Sequence, residues 1–495
     1  MLFNSYIFLF AFLPVVLAIF FGLRHRGLLG ASVFFLMLAS VTFYAYWKPI
    51  DTFVLLGTIV VNYSLAKYFG RVSAQHAKWL LTLGIAANLG LLIYFKYFDF
   101  LASNVAAMLS KDYVARGIVM PIGISFFTFT QLAYLVDCYK SRSYEAQFSS
   151  YALFVTIFPH LIAGPIIHHA EMRPQFARLR RETFDTEMII MGVIMFMIGL
   201  AKKVLLADNL VSGADAVFNV ADHGGQFNAA GAWTGALAYT LQIYFDFSGY
   251  SDMAIGLALM FGLRLPVNFN SPYKSTSIID FWRRWHITLS TWLRDYLYIP
   301  LGGNRGGEWA RLRNVFITFL LGGIWHGAGW TFIIWGALHG AYNVTNHLLR
   351  NQWPLRATQS FRMTLGKQVF TLLLVIIAWV FFRAKTVGGA LSVLKSMALL
   401  APADAAPLTT DFSLYFWIVL AAALVFLAPN TQQLTQYSAQ LSEQLKLPRM
   451  GLIEALRRGG LVFAPSPAVA IICGLLFAGA LACIWRPAIF IYFNF

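Results

Sequence analysis

The sequence predicts an all-α polytopic membrane protein with about 11–13 transmembrane helices. Three observations predict it. Of the 495 residues, 59% are hydrophobic and 12% charged, about half the roughly 25% charge of an ordinary soluble protein. The apolar residues fall in runs that match the ~20 residues a helix needs to cross a bilayer. The charge is lopsided: 37 Lys and Arg against 21 Asp and Glu give a formal net charge of +16. Basic residues gather on the cytoplasmic side of membrane proteins and against anionic lipid. So little chain lies outside the apolar runs that nucleic acid is not an expected partner. The composition shows no boundary, so residues 1–495 are expected to form one membrane domain in contact with the lipid bilayer.

In chain order the predicted spans are 5–22, 29–47, 52–67, 79–95, 117–136, 147–167, 188–208, 229–261, 314–349, 368–383, 413–428 and 466–485. The first is not a cleavable signal peptide, because MLFNSYIF carries no Lys or Arg and the basic cluster Arg24-His25-Arg26 follows the apolar run. That order puts the N-terminus on the outer side. The stretches 229–261 and 314–349 are long enough for two crossings each, or for broken, re-entrant segments. Three stretches are basic and are assigned to the cytoplasmic side: 168–187 with Arg173, Arg178, Arg180 and Arg181; 270–313 with Lys274, Arg283, Arg284, Arg294, Arg305, Arg311 and Arg313; and 429–465 with Lys446, Arg449, Arg457 and Arg458. Residues 209–228 carry Asp215 and Asp222 but no Lys or Arg, and are read as an outer loop; 401–412 are read the same way. Cys138, Cys473 and Cys483 are few, odd in number and without ligand spacing, so neither a disulfide framework nor a metal site is expected.

Four stretches carry polar chemistry. Asp280 to Asp295, DFWRRWHITLSTWLRD, plotted as a helix, puts Trp282, Trp285, Leu289, Trp292 and Leu293 on one face. Asp280, Arg283, Arg284, Ser290 and Arg294 fall on the other, with His286 on the border. Tryptophan opposite arginine is the pattern of a helix lying in the membrane interface. Its arginines suit headgroup phosphates, a phosphate-bearing donor molecule, or both. Leu301 to Gly307, LGGNRGG, has four glycines in six residues. It reads as a tight turn whose backbone N–H groups can approach a ligand. It lacks the Lys-Ser/Thr of a phosphate-binding loop that hydrolyses nucleotides. Tyr244 to Asp252, YFDFSGYSD, holds Asp246, Ser248, Ser251 and Asp252, too many polar groups to face lipid. They either bond neighbouring helices or line a polar cavity. Asp246 and Asp252 fall on opposite faces of a regular helix, so each needs its own partner, or the helix breaks near Gly249.

The fourth stretch is Phe316 to Gly329, FITFLLGGIWHGAG. No charged side chain lies between Arg313 and Arg350, and a helical rise puts His326 about 20 Å past Arg313. An ionisable group that deep in an apolar span is a functional candidate by default. Its glycine neighbours allow close helix approach, or a break that lines a channel. By position, His339 and His160 compete with it, and spacing alone does not rank the three.

RRWHITLSTWLRDYLYIPLGGNRGG followed by GGIWHGAGWTFIIWGALHG resembles the membrane-bound O-acyltransferase family. PIGISFFTF at 121–129, IFPHLIAGPI at 157–166 and LQIYFDFSGYSDMAIGLALMFG at 241–262 extend the likeness over nearly the whole chain, toward the bacterial branch that O-acetylates exopolysaccharides. The resemblance implies a ring of tilted helices around a thinned centre, with funnels from both faces. It implies catalytic histidines at His326, in the WHG segment, and His286, in the RWH segment. It also implies a bacterial inner membrane with the N-terminus periplasmic. The donor it implies is a cytoplasmic thioester, acetyl-CoA, with no bound cofactor. Arg283, Arg284, Asn304 and Arg305 are then candidate donor contacts, and Asp246, Ser248 and Asp252 candidate cavity-lining groups. The implied partners are periplasmic acetyl-carrier or SGNH-type acetyltransferase proteins and a polysaccharide acceptor such as alginate.

Imidazole suits this chemistry because its ordinary pKa of about 6.5 lies near neutral pH. His326 would act as general base or carry the acyl group covalently, and both routes stay open here. Alternatives within the family are cellulose, peptidoglycan, or D-alanylation of teichoic acid. Outside it stand a transporter, against which the chain shows no repeated halves, and a non-catalytic scaffold that recruits soluble transferases.

Overall fold

The computed structural model describes residues 1–182, 185–352, 360–401, 407, 412–435, 437, 466–484 and 490–491. The regular elements among them are all helices. The chain divides into two compact units, Met1–Phe196 with Tyr250–Pro266, and Met197–Gly249 with Val267–Phe495. In order, the helices of the first unit are α1 (Phe8–His25), α2 (Leu29–Ala45), α3 (Pro49–Tyr68), α4 (Ala74–Met108), α5 (Ile124–Ser141), α6 (Phe148–Thr156), α7 (Phe158–Leu161) and α8 (His169–Leu179). Two long helices, α9 (Thr186–Asp222) and α10 (Ala229–Met260), give residues to both units. The second unit adds α11 (Ile278–Trp282), α12 (Ile287–Leu293), α13 (Gly307–His326), α14 (Trp330–Gln352), α15 (Phe361–Arg383), α16 (Val387–Met397), α17 (Phe412–Leu427) and α18 (Pro467–Cys483).

By length and composition α1, α3, α4, α9 and α15 can cross a bilayer, and α2, α16, α17 and α18 are shorter apolar helices. Their starts are coded locally. Pro49 and Pro467 sit in first turns, where the missing N–H is no loss. Ser73, Ser360, Thr386 and Ser466 accept backbone N–H groups as caps. Their outward faces are apolar: Phe53 is 72% exposed, Trp79 68% and Leu83 61%. Hydrocarbon, not water, is the solvent for such a surface.

Where water is absent, polar side chains must bond each other. The first unit does so at its centre. Asn62 Nδ2 donates to Gln131 Oε1 at 2.8 Å, Asn88 Nδ2 donates to Asn62 Oδ1 at 2.7 Å, and Gln131 Nε2 donates to Thr58 Oγ1 at 2.9 Å. The network ties α3, α4 and α5, and Tyr151 of α6 donates to Gln131 at 3.2 Å. At one end of the same unit, buried Arg24 donates to the carbonyls of Leu179, the last residue of α8, and of Glu182 beyond it, so the basic clusters 24–26 and 168–187 adjoin.

Several sequence expectations change. Residues 209–228 are not a loop: α9 runs to Asp222, burying Leu210, Gly213, Ala214, Val217, Phe218 and Ala221 at helical spacing. The 229–261 stretch is neither two crossings nor re-entrant, and α10 is unbroken through Gly249. The 147–167 stretch is not one span but two short helices that meet at Ile157, before Pro159. The 314–349 stretch is broken, at Gly327 to Gly329. Most of 401–412 and 429–465 lies outside the described residues.

The amide network yields a stability test. Asn62→Ala leaves Asn88 Oδ1 without its donor and takes one donor from Gln131, and is expected to cost about 1–3 kcal/mol. Thermal unfolding in detergent checks it, with Ser64→Ala, whose hydroxyl faces outward, expected to leave the midpoint unchanged.

Candidate active site

His326 is the last residue of α13, and Gly327 continues in extended backbone before α14 begins at Trp330. The two helices pack backbone to backbone. A Cβ on Gly323 would lie 2.7 Å from Gly336 Cα, and one on Gly340 2.9 Å from the Phe316 ring. A Cβ on Gly327 would meet the Phe332 ring at 2.2 Å. Glycine at these positions is what brings His326 against α14. The imidazole, 4% exposed, is enclosed by Trp325 and Trp335, with ring centroids at 4.9 Å from both, and by Phe382 of α15 at 5.2 Å. His339, one turn beyond Trp335 on α14, lies 4.8 Å from that indole. Trp379 of α15 completes the cluster, 5.9 Å from Trp335 and 6.4 Å from His339.

His286 occupies a different setting. The stretch 280–295 is not one interfacial helix. It is two short helices, α11 and α12, joined through His286, which has left-handed backbone with φ 42° and ψ 55°. Such a conformation is disfavoured for a non-glycine residue. The neighbouring strand-like segment holds it there: Ile287 N donates to Asn268 O at 3.0 Å, and Asn270 N to Arg284 O at 2.9 Å. Asn268 Oδ1 accepts from Thr288 Oγ1 at 2.7 Å and contacts His286 Nδ1 at 3.2 Å. An oxygen already accepting there makes Nδ1 the donor and Nε2 the acceptor nitrogen. The ring is fully buried with Phe247 edge-on at 4.7 Å. It lies outside the candidate spans, and burial pushes its pKa down to about 3, so it is neutral at physiological pH. The predicted tryptophan face is real but turned inward: Trp282, Trp285 and Trp292 are all buried in protein, not lipid. Trp285 lies 4.9 Å from Trp379, so both histidines border one aromatic core.

The remaining candidates divide. Arg283 and Arg305 are exposed. Arg284 is engaged with Asp280, Nε to Oδ1 at 2.9 Å. Asn304 Oδ1 accepts from Tyr298 Oη at 2.6 Å. The glycine turn is as expected, with positive φ at Gly302, Gly303, Gly306 and Gly307. Asp246 is ion-paired. Lys203, in a widened turn of α9, places Nζ 2.7 Å from both Asp246 and Asp208, and Ile491 N donates to Asp246 Oδ2 at 2.8 Å. A Cβ on Gly249 would be 2.8 Å from Gly199 O, and that close contact lets Lys203 reach α10. Ser248 is buried, and its Oγ has no hydrogen-bond partner among the described residues. Asp252, also buried, belongs to the first unit, as does His160, whose Nε2 lies 3.2 Å from Phe154 O. Lys203, Trp379 and Asn268 were not singled out from the sequence. The lysine had a signal: a cation inside the predicted 188–208 span, with Asp246 in another.

No group of three or more His, Cys, Asp or Glu suited to a metal occurs among the described residues.

The profile of the membrane-bound O-acyltransferase family matches residues 41–384. A peptidoglycan O-acetyltransferase of Helicobacter pylori is 43% identical over 80% of this chain and 80% of its own length. A probable alginate O-acetylase of Azotobacter vinelandii is 45% identical over 78% of this chain and 75% of its own. A teichoic acid D-alanyltransferase of Lacticaseibacillus rhamnosus is 24% identical over 69% and 84%. The match spans α13, α14 and all of α15, the helices that build the His326 cluster, and the chain belongs to the membrane-bound O-acyltransferase family of acyltransferases.

Proposed function

We propose that this acyltransferase moves an acetyl group from acetyl-CoA on the cytoplasmic side of a bacterial inner membrane to a hydroxyl on the outer side, for O-acetylation of an exopolysaccharide such as alginate. The observation that carries the reading is the buried His326 at the α13–α14 break, ringed by Trp325, Trp335 and Phe382. The relatives named as O-acetylases of alginate and peptidoglycan support a polysaccharide acceptor. The hydroxyl oxygen attacks the thioester carbonyl, His326 takes the hydroxyl proton as general base, and the departing thiolate receives that proton. His286 orients the donor. The exposed Arg283 and Arg305 meet the phosphates of CoA, while Arg284, paired with Asp280, shapes the same surface. The hydroxyl belongs to a periplasmic acetyl-carrier or SGNH-type transferase, which passes the acetyl group to the polymer. The N-terminus lies in the periplasm.

Peptidoglycan is the second reading, favoured by the Helicobacter relative's even coverage of both chains. Acetyl analysis of both polymers in a deletion strain separates the two.

His326→Ala is expected to lower polymer acetyl content by at least about 100-fold at unchanged membrane abundance; normal acetylation would sink the assignment. Arg305→Ala is expected to raise the apparent KM for acetyl-CoA about 10-fold, the loss of roughly 1.4 kcal/mol of contact, with turnover at saturation retained. An unchanged KM would remove Arg305 from the donor site.

A further inference from the structure

Three N–H groups in the aromatic cluster that borders His326 have no acceptor among the described residues. Trp335 and Trp379 are 1% exposed and His339 0%. Trp335 Nε1, Trp379 Nε1 and His339 Nε2 make no hydrogen bond among the described residues. The protonation of His339 follows from its other nitrogen. Nδ1 accepts the Trp282 Nε1–H at 3.2 Å, so the ring proton sits on Nε2 and the group is a donor. The three rings are mutual neighbours, with centroids 4.8, 5.9 and 6.4 Å apart, and Trp335 stands 4.9 Å from His326.

Buried donors are nearly always bonded, and a bare one is destabilising. Three in one cluster, against one histidine, call for a common cause. Packing is not that cause, because phenylalanine fills an apolar cage without stranding an N–H. Mutual satisfaction is excluded too, since an indole N–H offers no acceptor.

We propose that Trp335, Trp379 and His339 form the oxyanion site of the transfer, binding the carbonyl oxygen of the thioester. This rests on the reading of His326 as base. As the hydroxyl oxygen bonds to the carbonyl carbon, its proton passes to His326 and the carbonyl π pair moves onto oxygen. Collapse restores the C=O bond and breaks C–S, and the thiolate takes the proton from His326. A neutral carbonyl oxygen has two lone pairs and the oxyanion three, so three donors match the transition state better than the ground state. In a dry aromatic cage such donors are strong and already oriented.

The test uses full-length Trp335→Phe and Trp379→Phe, which keep a ring and delete one N–H each. Each is expected to lose about 10- to 100-fold in kcat, with the KM for acetyl-CoA within about twofold and the melting temperature near that of the parent. A ring that served packing alone would not produce that kcat-only loss. Parental kcat in either folded variant, or a change confined to KM, overturns the oxyanion site; if one variant does not reach the membrane, the other decides. His326→Ala is assayed alongside. An inactive His326→Ala beside fully active tryptophan variants sinks the oxyanion site and leaves the base, whereas an active His326→Ala sinks the base reading itself.

Discussion

The contact between Gly323 and Gly336 is the constraint on which the second unit turns. Two helix backbones meet there with no side chain between them, and in a membrane such close packing replaces the hydrophobic effect as the force that joins helices. The candidate site residues of α13 and α14 are referred to that crossing. His326 lies three residues past Gly323, and Trp335 immediately precedes Gly336. Any bulk at the crossing would push the imidazole and indole apart before it changed either residue. The break at Gly327 belongs to the same device. It ends α13 at the histidine, so the ring stands at a helix terminus with aromatic walls instead of another helical turn.

A second constraint is electrostatic. Lys203 holds two carboxylates, Asp208 and Asp246, in a setting that excludes water. Buried pairs of this kind contribute little net stability but become very unfavourable once one partner is lost. The triad joins α9 to α10, and Phe247, the next residue on α10, is the ring against His286. Of the two roles open to Asp246 in the sequence, bonding between helices and lining a cavity, the ion pair with Lys203 supplies the first.

Much of this was legible in the sequence. The apolar runs mark most of the helices, because hydropathy reports the solvent directly. The glycines around His326 signal close approach or a break, and both occur. What the pattern concealed has physical causes. The kink at His286 depends on hydrogen bonds from residues 268–270, and a helical plot of 280–295 cannot register a partner outside its window. The inward turn of Trp282, Trp285 and Trp292 was hidden for the same reason, since tryptophan suits both a lipid interface and a buried core. The α9 extension to Asp222 is legible in the helical spacing of its buried residues, which the acidic charge of the stretch masks. Lys203 escapes a reading of the sequence, because pairing across helices is a three-dimensional fact. Depth in an apolar span marks His326 as a candidate and resemblance ranks it above His160 and His339, but its aromatic surroundings are visible only in the structure.

The left-handed backbone at His286 has a consequence for engineering. Glycine or asparagine would sit there with less strain than histidine. Methods that search this backbone for thermal robustness will therefore be drawn to replace the very residue that this reading assigns to the donor. Position 286 is where gains in ruggedness and losses in catalysis should coincide, and libraries built to harden the enzyme should hold it constant.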